Sequence, residues 1–351
     1  MSHVLFLTQR MVAGYGVDVV IHNVTRELHA LGHEVTVAAV DRDGSFDDIR
    51  VHAVEPTLGA VRKLASAIGP TVIVAHTPPF FGMLPTLQRG WPCWAWEHGD
   101  PLPSLFDADR EHRAREASAK RSDCYPRVSG VIAISEFIRR DIGFPAAHVI
   151  LNGCDHAPDA GPKSAGSLDP LDRPLRVGTL MRLGAGEARY KGAAEFLDLA
   201  RRSRADRLDA EFHLMGRGSP ADAAAFERGG FRVHLNASEA EKWDYLRDLD
   251  VFVSCSLWEG FNLPLVEAQA VGTLGMALDT GAHPETTPFA LSSIEEMRAF
   301  LHAVAHDRAL LHAHSCRAYA HVRRRFRWSE TARRFAAHVL DRSGHAEPPQ
   351  A

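Results

Sequence analysis

Short β-branched runs alternate with helical stretches along this chain, and the alternation runs twice. In the first half Val4–Thr8 reads as a buried strand and Val17–Leu31 as a helix, with apolar positions at Val20, Val24, Leu28 and Leu31. Gly32 ends that helix, and Glu34–Val40 is the next strand. Further strands are expected at Arg50–Val54, Thr71–Ala75, Cys93–Trp96, Gly130–Ile134 and His148–Leu151. From Ala157 to Pro174 the chain turns to APDAGPKSAGSLDPLDRP, rich in Pro, Gly, Ser and Asp, which marks a linker. The rhythm then restarts: strand Leu175–Leu180, helix Ala193–Arg202, strands Glu211–Met215 and Phe231–Leu235, helix Glu239–Leu249, strand Val251–Ser254, helix Leu263–Val271, strand Thr273–Leu278. A β-α-β rhythm builds a parallel sheet covered by helices on both faces. The expected fold is α/β: two Rossmann-like doubly wound domains in tandem. Residues 1–156 form the first, 157–174 the linker and 175–327 the second. The terminal segment 328–345, with a helix at Ser329–Asp341, is free to pack back on the first domain.

Bulk properties exclude several classes. At 351 residues the chain is long enough for two cores, and its 45% apolar and 24% charged content is that of a globular protein. A formal net charge of -4 gives no basic field for a nucleic acid. The apolar stretch in MSHVLFLTQR is too short for a secretory core, and no run approaches the roughly 18 residues that cross a bilayer. Five scattered cysteines without a CxxC pair argue against a disulfide framework or zinc site, and fit a reducing cytoplasm.

In open α/β sheets ligands sit at the carboxyl ends of strands, so residues that follow strands carry the most information. The strongest such cluster is Glu259-Gly-Phe-Asn-Leu-Pro-Leu-Val-Glu267, after strand Val251–Ser254. Pro264 in the first turn marks a helix start near Leu263, whose free N–H groups suit a diphosphate. Gly260 lets that backbone approach a ligand closely. Taken alone, two glutamates near a helix start are more often solvated first-turn residues favoured by the helix dipole. A facing pair of carboxylates would instead suit glycoside hydrolysis. Gly14-Tyr15-Gly16 follows the first strand and precedes a helix, but Val19 stands where a nicotinamide fingerprint needs its third glycine. His302, His306, His312 and His314 lack a suitably spaced partner for a metal. Arg323–Arg325 and the stretch Asp107–Lys120, with Arg110, Arg113 and Arg115, read as solvated helix faces.

The segment Glu259-Gly260-Phe261-Asn262-Leu263-Pro264-Leu265-Val266-Glu267 resembles the donor-site signature of retaining GT-B glycosyltransferases of the family 4 type (glycosyl transferases group 1). Its flanks agree, from Tyr245–Ser256 before it to Gly281-Ala-His-Pro-Glu285 after it. So do Leu28–Thr36, Val131–Arg139 and Val149–Gly153, which extends the resemblance over nearly the whole chain. It implies two domains facing one another across a cleft and nucleotide-sugar-dependent glycosyl transfer with retention, the donor on the second domain and most of the acceptor on the first. It implies that Arg182 and Lys191 hold the donor diphosphate; Thr179 stands where the family commonly has an arginine, and Arg189 is the rival to Arg182. Glu259 would hold sugar hydroxyls, Glu267 the nucleotide ribose, and His98, in Ala95-Trp-Glu-His-Gly-Asp100, the donor sugar near the reacting centre. Gly14, Gly16, Gly216, Gly260, Phe261, Asn262 and Leu263 complete the expected donor-binding set, and Asn236–Ser238 is the expected place for the base. Neither metal nor cofactor is expected: Arg182, Lys191 and the helix start would stabilise the leaving diphosphate in a metal's place. A small soluble acceptor is expected rather than a lipid-linked one, with no nucleic-acid partner. Rival readings are a GT-B nucleotide-sugar epimerase, which needs no acceptor, and a non-catalytic sugar-nucleotide binder.

Overall fold

The structure, a computed structural model, describes residues 1–106, 108–163, 173–184 and 186–341. Of the expected linker, 164–172 lie outside the described residues, as do 342–345 of the terminal segment. The chain forms two compact units. One comprises Met1–Asp100, Glu111–Gly153 and the segment from Arg327 onward; the other comprises Pro101–Arg110 and Cys154–Phe326.

The first unit is built on seven parallel strands: β1 (His3–Met11), β2 (Glu34–Arg42), β3 (Val51–Ala53), β4 (Val72–Ala75), β5 (Cys93–Glu97), β6 (Gly130–Ala133) and β7 (His148–Val149). They lie in the order β3-β2-β1-β4-β5-β6-β7, so the direction of strand addition reverses between β1 and β4. Val4–Leu7 and Val72–Ala75 are wholly buried, as near-continuous apolar runs in a two-sided parallel sheet should be. Helix Val17–Ala30 covers this sheet with Val20, Ile21, Val24 and Leu28. The terminal helix Trp328–Phe335 also belongs to this unit: Phe335 stacks on Trp96 at 5.3 Å and meets Phe6 edge-on at 5.8 Å.

The second unit repeats the plan with β8 (Leu175–Arg182), β9 (Ala210–Arg217), β10 (Arg232–Leu235), β11 (Val251–Ser254), β12 (Leu274–Leu278) and β13 (Ala290–Leu291). All are parallel, in the order β10-β9-β8-β11-β12-β13, which reverses between β8 and β11. Its core joins Val177, Phe196, Phe212, Phe226, Val253, Leu274, Met276, Met297 and Leu301. Pro101–Arg110 joins this unit rather than the first because Phe106 packs on Tyr190, ring centroids 5.6 Å apart.

The two stretches expected to be solvated are largely exposed, Arg324 and Arg325 included, with two exceptions, Arg323 and Lys120. Arg323 is largely buried, donating to the carbonyls of Ala270 (2.9 Å) and Pro158 (2.8 Å), so it ties the end of helix Leu263–Ala270 to the segment after Cys154. Lys120 is buried, whereas Arg110 and Arg115 on the helix Arg110–Ala119 are exposed and Asp107 lies outside the described residues.

Candidate active site

The residues of the EGFNLPLVE segment gather at the reversal point of the second unit's sheet, past the carboxyl ends of β8 and β11, where open α/β sheets leave a crevice for ligands. Glu259 is buried, and its carboxylate accepts from Lys191 Nζ at 2.8 Å and Ser256 Oγ at 2.9 Å. Lys191 ends the short helix Glu187–Tyr190 that follows β8. Its approach depends on the next residue. Gly192 has φ of 72°, and a Cβ there would lie 1.9 Å from the Cys255 carbonyl oxygen. From the other side the Ala282 N–H donates to the Glu259 carbonyl at 2.9 Å, and a Cβ on Gly281 would come within 2.5 Å of the same oxygen. Burial raises the Glu259 carboxyl pKa, but Lys191, His283 and Ser256 outweigh it and leave it below the usual range. Burial likewise opposes the Lys191 charge, and Glu259 more than restores it.

Asn262 shapes the helix start. It sits in the left-handed region (φ 64°), and its Oδ1 accepts from the Leu265 N–H at 3.3 Å as the cap of helix Leu263–Ala270. Its Nδ2 donates to Ser254 Oγ at 2.8 Å and His283 Nε2 at 2.9 Å. His283 can accept there because its Nδ1–H donates to the Leu278 carbonyl at 2.7 Å, which fixes the tautomer. Phe261 is buried edge-on against Phe326 at 5.1 Å. The side chains of Phe261 and Asn262 therefore serve the unit's interior, and the loop from Gly260 to Leu263 offers its backbone.

Glu267, one turn into that helix, is also buried and accepts from His156 Nε2 at 2.9 Å and Lys242 Nζ at 3.3 Å. Burial pushes its carboxyl up, yet Lys242 and His156 bring it down to about 2. Arg182, the last residue of β8, pairs with Glu187 at 2.5 Å and lies in the field of Glu259. Its rival Arg189 is exposed. Gly216 lies in β9 against the Met181 carbonyl, which a Cβ would approach to 2.7 Å.

In the first unit Gly14 and Gly16 flank the turn between β1 and its helix, and the N–H groups of Gly14 and Tyr15 donate to the buried Asp18 carboxylate at 2.7 and 3.1 Å. Those two amides are thus spent within the turn. His98 follows β5, half-buried, with Nε2 3.0 Å from His76 Nδ1. Just behind it Glu97 accepts from Tyr125 at 2.7 Å and from Lys120 at 3.0 Å, and Lys120 also pairs with Asp100.

The sequence singled out none of Asp18, His76, His156 and Lys242. Position after a strand end was a usable signal for His76. The others are recognisable only by their partners in space. A separate pocket of about 550 Å³ opens over β8–β10, lined by Arg176, His213, Arg232, His234, Asn236 and Tyr245 among others. It contains Asn236 but none of Lys191, Glu259 and Glu267, so pocket size does not locate this cluster. Among the described residues no group of three or more His, Cys, Asp or Glu could hold a metal.

Two family profiles match the chain. "Glycosyltransferase Family 4" covers residues 15–157, and "Glycosyl transferases group 1" covers residues 177–307. A search of curated proteins gives no match. Among solved structures the chain is similar to sucrose-phosphate synthase from Thermosynechococcus elongatus (15% identity, TM-score 0.77, 99% of this chain and 100% of that one). It is also similar to Anabaena Alr3699/HepE in complex with UDP-glucose (17%, TM-score 0.76, 97% and 100%). A third is a glycosyltransferase from Rickettsia africae ESF-5 (15%, TM-score 0.74, 99% of each chain). At these identities the structural likeness speaks for the fold.

Proposed function

Because the chain is a GT-B glycosyltransferase, joining a family 4 domain to a group 1 domain, we propose that it transfers a sugar from a nucleoside-diphosphate sugar to a hydroxyl acceptor with retention at the anomeric carbon. The observation that carries this reading is the buried Lys191–Glu259 pair, set beside a helix start at the reversal point of the second sheet. When the bond between the anomeric carbon and the diphosphate breaks, negative charge grows on the leaving oxygen. Lys191, Arg182 and the N–H groups near Leu263 supply the preformed positive charge that lowers that barrier. Arg182 suits this role better than Arg189, since it stands in the field of Glu259 while Arg189 is exposed.

The acceptor oxygen attacks the face that the diphosphate leaves, through an oxocarbenium-like state. Its proton passes to the departing diphosphate oxygen, so no protein nucleophile is required. Glu259, held ionised by Lys191, accepts hydrogen bonds from sugar hydroxyls, and Glu267 accepts from the ribose. His98 hydrogen-bonds the sugar near the reacting carbon. Gly14, Gly16 and Gly216 contribute close backbone approach, and Asn262 acts through the cap it forms. The acceptor is a small soluble molecule. No helix among the described residues is long and apolar enough to cross a membrane. Five free thiols, four of them buried, support a cytoplasmic setting.

Proton NMR of the reaction checks the proposal. With donor and acceptor together, nucleoside diphosphate and a product of unchanged anomeric configuration should accumulate in step. An inverted product would overturn retention, and a free epimerised nucleotide sugar would replace transfer by epimerisation.

A further inference from the structure

His98 meets a second histidine across a single hydrogen bond, and that contact decides which atom His98 offers to a ligand. His76 follows β4 as His98 follows β5, and these strands are neighbours in the first sheet. His76 is 2% exposed, and its backbone is pinned to β1 through His76 N–H to the Leu7 carbonyl at 2.9 Å. Its ring lies against Trp96 at 5.1 Å and meets Phe6 edge-on at 4.8 Å, while Phe335 also stacks on Trp96. The ring is thereby held with Nδ1 toward His98 Nε2 at 3.0 Å and Nε2 buried without a hydrogen-bond partner.

Both imidazoles are neutral at physiological pH. Burial and the neighbouring His98 depress His76, while burial and the nearby Lys120 charge bring His98 down to about 3. Two neutral rings leave one proton in the bond between them, and there are two ways to place it. If His98 Nε2 holds it, His76 must carry its own proton on Nε2, as an orphaned N–H in an aromatic pocket. If His76 Nδ1 holds it, only a bare ring nitrogen is left in that pocket. Buried N–H groups without an acceptor are the rarer case.

We propose that His76 is a positioning residue, donating from Nδ1 to His98 Nε2 and so fixing His98 as its Nδ1–H tautomer, a hydrogen-bond donor toward a sugar oxygen. This rests on the assignment of His98 to the donor sugar. His76 itself touches neither substrate nor leaving group. It selects the proton position on the residue that does, as outer partners of metal-bound histidines do.

The test is ¹⁵N NMR of the His98 ring at neutral pH, in the full-length wild type, His76→Asn and His76→Phe. Wild type should show a protonated Nδ1 and an unprotonated, hydrogen-bonded Nε2. Asn can still donate to Nε2, so His76→Asn should keep that signature and most of the turnover. His76→Phe should shift His98 toward the Nε2–H form, with kcat down about 10- to 100-fold and little change in donor KM. A wild-type His98 protonated on Nε2 would overturn the proposal, as would an unaltered Nδ1–H signature in a folded His76→Phe. The readout does not depend on turnover. Normal activity in His98→Ala would refute the catalytic role of His98 while leaving the tautomer assignment to be decided by the spectra.

Discussion

At the residue scale the second unit's candidate site holds two buried carboxylates, Glu259 paired with Lys191 and Glu267 with Lys242. Glu267 is the clearest case, with His156 and Lys242 on a carboxylate brought down to about 2. Its folded-state value lies below the 4.5 of an ordinary glutamate, so folding favours the ionised form. That stabilisation is complete above pH 4.5 and is lost as the pH falls toward 2. Urea unfolding across this window should therefore show a steeper acid loss for wild type than for Glu267→Gln. The difference should be at most about 3 kcal/mol; parallel curves would remove the ion-pair account of Glu267. The two glutamates were singled out in the sequence because they fall at fixed spacing in one segment, and Lys191 because Tyr190-Lys-Gly192 resembles the family's basic pair. Their partners were not: His156 stands 111 positions before Glu267, and Lys242 25 positions before it. A charged residue such as Lys120 or Arg323 looks like a solvated face until the chain that buries it is in place.

At the scale of elements, the site depends on loops packed at backbone contact. Gly192 brings the turn after β8 onto the end of β11, with no room for a side chain beside the Cys255 carbonyl. Gly192→Ala adds a Cβ in a left-handed conformation against fixed backbone, and should cost about 2 to 4 kcal/mol in denaturant unfolding. It should also weaken donor binding, because Lys191 moves with the turn; unchanged stability would mean that the two loops are not locked. Strands were read well where burial is two-sided, as at Val251–Ser254, and less well at their ends. Gly216 and Arg217 have the composition of a loop, yet β9 continues through them by pairing with Met181 and Arg182. The two-residue strand Ala290–Leu291 has no periodicity to detect and exists through its pairing with β12. Asn262 belongs to the expected donor-binding set. Its cap and its bonds to Ser254 and His283 show a side chain spent on shaping the helix start.

For the whole molecule, the twofold β-α-β rhythm was enough to anticipate two doubly wound units, and in both sheets the order of strand addition reverses between the first strand and the fourth, β1 to β4 and β8 to β11. The chain's path between the units was harder to read. Pro101–Arg110 belongs with the second unit and the segment from Arg327 onward with the first, because Phe106 and Phe335 find aromatic partners far away in sequence. The central claim is that the second unit holds a donor diphosphate through Lys191 beside Glu259 and the helix start. Calorimetric titration of wild type and Lys191→Ala with UDP, GDP, ADP and CDP, and with the matching nucleosides, tests it most directly. At least one diphosphate should bind wild type and lose about tenfold or more in affinity on Lys191→Ala, while its nucleoside binds both proteins equally. Equal diphosphate affinity for the two proteins, or no binding by any of the four, would contradict the account.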